Sequence, residues 1–164
     1  MIGDLTHHRV TMNDVAQPAV LRDATPDDVD TIARFIRELA AAEDFPGAVT
    51  STASDVHEVL FGPEAFARAV VVELDGVPVG FALHHATFST ITGRRGVHLE
   101  DLYIVEQHRG RGLGELVMRE LAARARRHGG RLDWWVLRTN EAGLRFYRRL
   151  GAREAEEITV CHLG

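Results

Sequence analysis

The stretch Gln107-His108-Arg109-Gly110-Arg111-Gly112-Leu113-Gly114 has the clearest chemistry in the chain. Glycines at alternate positions leave backbone N–H groups uncovered where an apolar strand, Leu102-Tyr103-Ile104-Val105, passes into a helix. A helix N-terminus adds partial positive charge there, and such a bend suits a phosphate. Arg109 and Arg111 can add charge-assisted bonds. The spacing lacks the G-x-G-x-x-G of a dinucleotide fold, and no Lys-Ser/Thr pair follows as in a P-loop. What remains is a strand–loop–helix cradle for a pyrophosphate, or a flexible glycine turn without a ligand. Just upstream, Glu100 and Asp101 place carboxylates on the same strand, and Tyr147 offers a phenol that stays protonated at neutral pH.

These groups need elements to hold them. Ala19 to Asp23 reads as a first strand. Thr25-Pro26-Asp27-Asp28 has an N-cap, a proline at the first helical position and acids in the first turn. Val29, Ile32, Ala33, Ile36, Leu39 and Ala40 then recur at helical spacing until Phe45, where Pro46-Gly47 breaks the chain. A shorter helix is expected over Ala53 to Leu60. Three strands follow: Ala69 to Leu74, Val79 to Thr87 across the turn signal Asp75-Gly76, and Val97 to Val105. After the glycine loop, Leu113, Leu116, Val117, Leu121 and Ala125 stripe a helix that ends at Gly129-Gly130. Leu132 to Leu137 predicts a buried strand, Asn140 caps a last helix through Leu150, and Ile158 to Leu163 predicts a closing strand. The order predicts an α+β fold: a mixed, mostly antiparallel sheet flanked by helices.

Composition narrows the function classes. The 164 residues read as a single domain over 18–164, after a flexible extension over 1–17 without the apolar centre of a signal peptide. A net charge of −5 argues against a broad nucleic-acid footprint and leaves cationic substrates open. Cys161 is the only cysteine, which excludes an intrachain disulfide and a Cys-based zinc site and fits a reducing cytoplasm. No apolar run approaches the ~20 residues that span a bilayer, so no membrane partner is expected. His84-His85 has no third ligand at a suitable spacing, so no metal site is expected.

Gln107-x-x-Gly110-x-Gly112 resembles the acyl-coenzyme A signature of the GCN5-related N-acetyltransferases (GNAT). The context agrees: a strand before it, a helix after it, then a strand, then Asn140…Phe146-Tyr147…Gly151. The likeness runs from about Val20 to Ala152. Ile36-Arg37-Glu38-Leu39-Ala40 with Glu43, Gly80-Phe81-Ala82, Leu99-Glu100-Asp101 and Phe146-Tyr147-Arg148-Arg149-Leu150-Gly151 resemble the diamine (spermidine/spermine or thialysine) acetyltransferase branch. The resemblance implies the GNAT fold, acetyl-CoA as cofactor, a small-molecule amine as partner and a homodimer. It implies cofactor contacts from Leu102, Tyr103, Ile104, the loop residues Gln107 to Gly114, Asn140 and Phe146, with a backbone N–H near Tyr103 or Ile104 facing the thioester oxygen. Glu100 matches the base that takes the ammonium proton, and Tyr147 the acid that protonates the thiolate.

At the acceptor end, Glu43, His84, His85 and Asp101 are candidates for the amine pocket. In a regular strand Asp101 faces away from Glu100, and a bulge would change that. Two departures from the polyamine pattern stand out. Ala41-Ala42 and Ile158-Thr159-Val160 occupy places where that branch has aromatics, and His84-His85 and Phe88 replace tyrosines. The reading is therefore direct acetyl transfer to a diamine, polyamine or lysine-like amino acid. The alternatives are acetylation of a protein or peptide, and a coenzyme-binding sensor without catalysis.

Overall fold

The run Ala69-Val70-Val71-Val72 is buried on both faces, as a central strand requires. It lies in β2 (Ala67–Leu74), which pairs antiparallel with β1 (Ala19–Asp23) and β3 (Val77–Ser89). β3 pairs antiparallel with β4 (Arg94–Ile104), and β4 pairs parallel with β5 (Gly129–Trp134). The sheet order β1-β2-β3-β4-β5 gives the expected α+β architecture. This computed structural model describes residues 19–44, 47–161 and 163. The expected extension over 1–17 and the break at Pro46 lie outside the described residues.

Helices cover both faces. α1 (Val29–Ala42) and α2 (Ala53–Phe61) pack on one side, where Phe35 is fully buried against Phe81 and Tyr103. α3 (Leu113–Arg127) and α4 (Glu141–Arg149) pack on the other, with Val117 and Leu121 at the centre and Phe146 and Tyr147 at the margin. The predicted start at Thr25 holds, although the first turn, Pro26–Asp28, is a 3-10 turn. Asp28 accepts from the Thr25 backbone and from both terminal nitrogens of Arg22, which also bonds Glu73. Arg22 holds the Asp28 carboxyl below its ordinary pKa and pins β1, β2 and the entry to α1 together.

Two strand expectations are corrected. The strand predicted over Leu132 to Leu137 runs instead over Gly129–Trp134, and it is half-buried because it is an edge with β4 as its one neighbour. Ile158 to Cys161 form no strand; neither sheet edge receives them, and Ile158 and Val160 stay exposed.

Two irregularities in β4 open the sheet at one end and re-aim its side chains. Its pairing with β5 ends at Leu99↔Trp134, while β4 continues to Ile104. Beyond that point the two strands part and leave the backbone of β4 bordering a wedge. On its other side, His84 pairs with Leu99 but Leu83 pairs with Asp101, so Glu100 is an extra, bulged residue. The bulge resets the alternation. Asp101 and Tyr103 now point to the same sheet face as His98 and Glu100.

Candidate active site

The wedge opens into a groove of about 1190 Å³. Its floor is Leu102, Tyr103 and Ile104 of β4, and its rim is the loop from His108 to Gly114 and the start of α3. Gly110 (φ 72°) and Gly112 (φ 79°) both take left-handed backbone, which a side chain would strain by about 1 kcal/mol or more. Gly112 caps α3, so the N–H groups of the first turn open toward the groove without internal partners. Gly114 has another duty: a Cβ there would stand 3.2 Å from the Phe146 ring, so its absence lets α4 close on α3. Arg119, Arg126, Arg131 and Arg149 complete a basic surround. Arg109 is committed differently from the phosphate contact expected of it. Its Nε donates to the Ile104 carbonyl at 2.8 Å, and its guanidinium lies 5.6 Å from the Tyr103 ring centre, tying loop to strand.

The other end of the groove is acidic. Glu43 caps the C-terminus of α1, where the helix dipole opposes a carboxylate. Burial raises its pKa, and Asn140 Nδ2 partly offsets this by donating to it at 2.8 Å. Asn140 Oδ1 meanwhile accepts from Gly143 N at 2.8 Å and caps α4. The Asn140 amide, expected to contact the cofactor, is thus mostly spent on joining α4 to α1, with one N–H left over. Tyr147 rests against Trp134 and Phe146. Burial, with nearby Glu43, pushes its phenol up to about 12. It therefore keeps its proton at neutral pH. Asp101 is pushed up to about 6 by burial and by the charges of Glu100 and Glu43. Glu100 itself is half exposed, 4.0 Å from His98 Nε2.

The structure brings most candidates together. Glu43, Leu102 to Ile104, His108 to Gly110, Gly112 to Gly114, Asn140, Phe146 and Tyr147 line one groove. Gln107 and Arg111 belong to the same bend without lining it, and Arg111 reaches back to His108. Asp101 lies behind the floor within the electrostatic reach of Glu43, and Glu100 continues that acidic row outward. His84 is corrected. Leu83 packs with the α1 face, so alternation turns His84 toward α3, where its buried Nε2 has no partner among the described residues and burial lowers its pKa to about 4. It lines a second cavity of about 890 Å³ with Arg68 and Arg124, away from Glu43. His85 also borders that second cavity, while its ring stacks on His98. Sequence reasoning missed His98, Asp133 and Trp135. His98 Nδ1 bonds Asp133 Oδ1 at 2.9 Å, and Trp135 meets the His98 ring edge-on. Their one signal, the cross-sheet register of β4 and β5, is invisible without the fold.

A bare helix N-terminus beside a parted strand, basic at one end and acidic at the other, defines an acyl-coenzyme A class of transferase site. A family model described as "Acetyltransferase (GNAT) family" matches residues 34–152. The thialysine N-epsilon-acetyltransferase of Mus musculus is 32% identical over 146 residues, covering 84% of this chain and 85% of that protein. The spermidine/spermine N(1)-acetyltransferase-like protein 1 of Homo sapiens is 28% identical over 151 residues, covering 87% of this chain and 22% of that protein. Among solved structures, an integron cassette protein from V. cholerae superimposes with a TM-score of 0.73 at 22% identity, over 89% of this chain and 92% of that one. The chain belongs to the GNAT acetyltransferase family and is an N-acetyltransferase.

The residues present fit the coenzyme such enzymes use. The left-handed glycines leave the backbone of the bend bare, and arginines line the same groove. The bend from His108 to Gly114 would hold the diphosphate, and the unpaired edge of Leu102 to Ile104 would hold the pantetheine arm. When bound, the coenzyme supplies an activated acetyl thioester.

Proposed function

We propose that this enzyme acetylates a primary amine of a small cationic molecule: a diamine, a polyamine or a lysine-like amino acid. One observation carries the reading. Asp101 feels the charges of both Glu100 and Glu43, and Glu43 lines the groove beside Tyr147. An alkyl ammonium lowers the cost of holding these carboxylates charged, and a second cationic group finds a second carboxylate. The relatives named for thialysine and spermidine/spermine support the same substrate class.

The amine arrives as ammonium, since its pKa is ~10.4. It must lose a proton before its nitrogen can attack. Asp101, held near pH 6, is matched to accept that proton at neutral pH, and half-exposed Glu100 passes it to solvent. This divides between two acids the role expected of Glu100 alone. Tyr147 keeps its phenolic proton and gives it to the leaving sulfur. A backbone N–H from the unpaired segment at Tyr103 or Ile104 stabilises the carbonyl oxygen as charge builds on it. Transfer is direct, because the lone Cys161 is exposed and outside the groove.

Acetyl-CoA supplied with a panel of amines, read as thiol release and amide product, tests the reading. Product with diamines, polyamines or lysine analogues is the expected result. Product with peptides alone would replace it, and coenzyme binding without product would end it. The same proposal carries a homodimer, in which a second copy covers Ile158 and Val160. It also places the enzyme in a reducing cytoplasm; among the described residues no helix is long and apolar enough to cross a membrane. Sedimentation at several concentrations checks the dimer.

A further inference from the structure

We propose that His85, His98 and Glu100 form a binding site for a divalent transition-metal ion of the zinc class on β3 and β4, where Glu100 adjoins Asp101. His85 on β3 and His98 on β4 are direct partners across the ladder, and their rings stack with centres 5.1 Å apart. The bulge at Glu100 turns its carboxylate toward the same place. One ring nitrogen of each histidine and one Glu100 oxygen all lie within 4.8 Å of one another. Donor atoms around a tetrahedral zinc stand about 3.4 Å apart, given metal bonds of about 2.0–2.1 Å. Glu100 is exposed enough to swing inward by the remaining distance.

The surroundings are those of a ligand set. His98 Nδ1 is fixed on Asp133 Oδ1 at 2.9 Å, and Asp133 sits opposite His98 in the β4–β5 ladder. His85 Nδ1 is fixed on the Ala86 carbonyl at 3.2 Å. Each bond sets the tautomer and leaves Nε2 of that ring as a free lone pair. A carboxylate or carbonyl behind a histidine is the usual support for a metal ligand. Phe66 meets the His85 ring and Trp135 the His98 ring edge-on. Imidazole with carboxylate favours zinc, nickel, cobalt or copper over magnesium or calcium. Three ligands leave positions open for water. The sequence offered no third ligand beside His84-His85; here His84 turns away, and β4 supplies both His98 and Glu100.

Occupation withdraws the Glu100 oxygens from proton transfer and sets a positive charge where an ammonium would come. Inhibition of turnover by the ion rests on the acetyl-transfer reading; binding of the ion does not. The test uses the metal-free full chain with Co²⁺ and Zn²⁺ salts, without coenzyme. The expected result is uptake of one ion per chain by calorimetry, with the visible absorption of a Co²⁺ site carrying nitrogen ligands. His85→Ala and Glu100→Gln should each weaken binding about 10-fold or more. Asp133→Asn, which removes no ligand, should weaken it about 10–100-fold. Circular dichroism confirms that each variant folds. No uptake with ion in excess, or equal affinity in the His85→Ala/Glu100→Gln double variant, overturns the site. Amide formation with and without Zn²⁺ then separates the two readings. Ion binding without any turnover overturns acetyl transfer alone, and turnover without ion binding overturns the metal site alone.

Discussion

The two ends of the groove are built in opposite ways. The loop end is one continuous run, His108 to Gly114, whose function lies in its backbone. The acidic end is assembled from α1, β3, β4, β5 and α4, and its function lies in side chains whose pKa values are displaced by their neighbours. The loop is unstrained because glycine accepts its left-handed backbone. The acidic end is strained electrostatically, since Asp101 is buried beside the charges of Glu100 and Glu43, and Glu43 also opposes a helix dipole. The lesson is a division of labour. On the proposed reading, the coenzyme is met by backbone and the acceptor amine by a costly cluster of side chains.

The sharpest way to break this comparison is at the acids. Asp101→Asn should lower turnover by about 10²–10⁴-fold at neutral pH while leaving coenzyme affinity unchanged. In the unaltered enzyme the rate should fall as pH drops through about 6, because Asp101 then holds a proton and cannot accept another. Asp101→Asn should abolish that limb, whereas Glu100→Gln should keep it and lower the plateau. Both variants should recover toward pH 10, where free amine is abundant. A full rate in Asp101→Asn, or a limb that survives it, would return the base role to Glu100.

Tyr147→Phe should cost about 10²-fold in turnover with little change in coenzyme affinity. Its phenol, pushed up to about 12, should leave no basic limb of its own below that value. At the loop end, Gly112→Val forces a branched side chain into a left-handed position. A strain of about 1–3 kcal/mol, or a displaced loop, should weaken coenzyme binding by about 10-fold or more. Saturating coenzyme should restore turnover in that variant and in neither of the others. If it restores all three, or none, the two ends are not separable as described.

The same division explains what is legible in the sequence. The loop is readable because its residues are consecutive and glycine has a conformational meaning of its own. β1 is legible over Ala19–Asp23 as observed, and α1, α2, β2, β3, β4, α3 and α4 each lie where periodicity and capping place them, within a few residues at the ends. The convergence of Glu43, Asn140 and Tyr147 is legible through family resemblance alone, because α1 and α4 meet only in the folded chain. The side taken by Asp101 depends on a bulge, which β4 does not announce by composition. His98 and Asp133 carry no signal, since a cross-strand partner is set by register. The strand expected over Ile158 to Leu163 fails for a related reason. Its apolar content is right, but a strand exists only when it pairs with an edge, and Ile158 to Cys161 pair with neither open edge, β1 nor β5.

The smallest effect tests whether the acidic end is costly to the fold. Asp101 has an ordinary pKa of 3.8 when unfolded and about 6 when folded. Its penalty is absent below pH 3.8, grows between 3.8 and 6, and is complete above that. Two units correspond to about 3 kcal/mol, and residual water contact reduces this. Asp101→Asn should therefore stabilise the protein by about 1–3 kcal/mol at pH 7, at about 2–4 °C of Tm per kcal/mol. The gain should vanish below pH 4. A cationic diamine should stabilise the unaltered protein more than the variant, because it relieves the repulsion that the substitution has already removed. Thermal melts at pH 4 and 7, with and without diamine, decide this. A variant that is less stable at pH 7 would mean that Asp101 is held by an interaction stronger than the repulsion of its neighbours, and that the acidic row is scaffold before it is site.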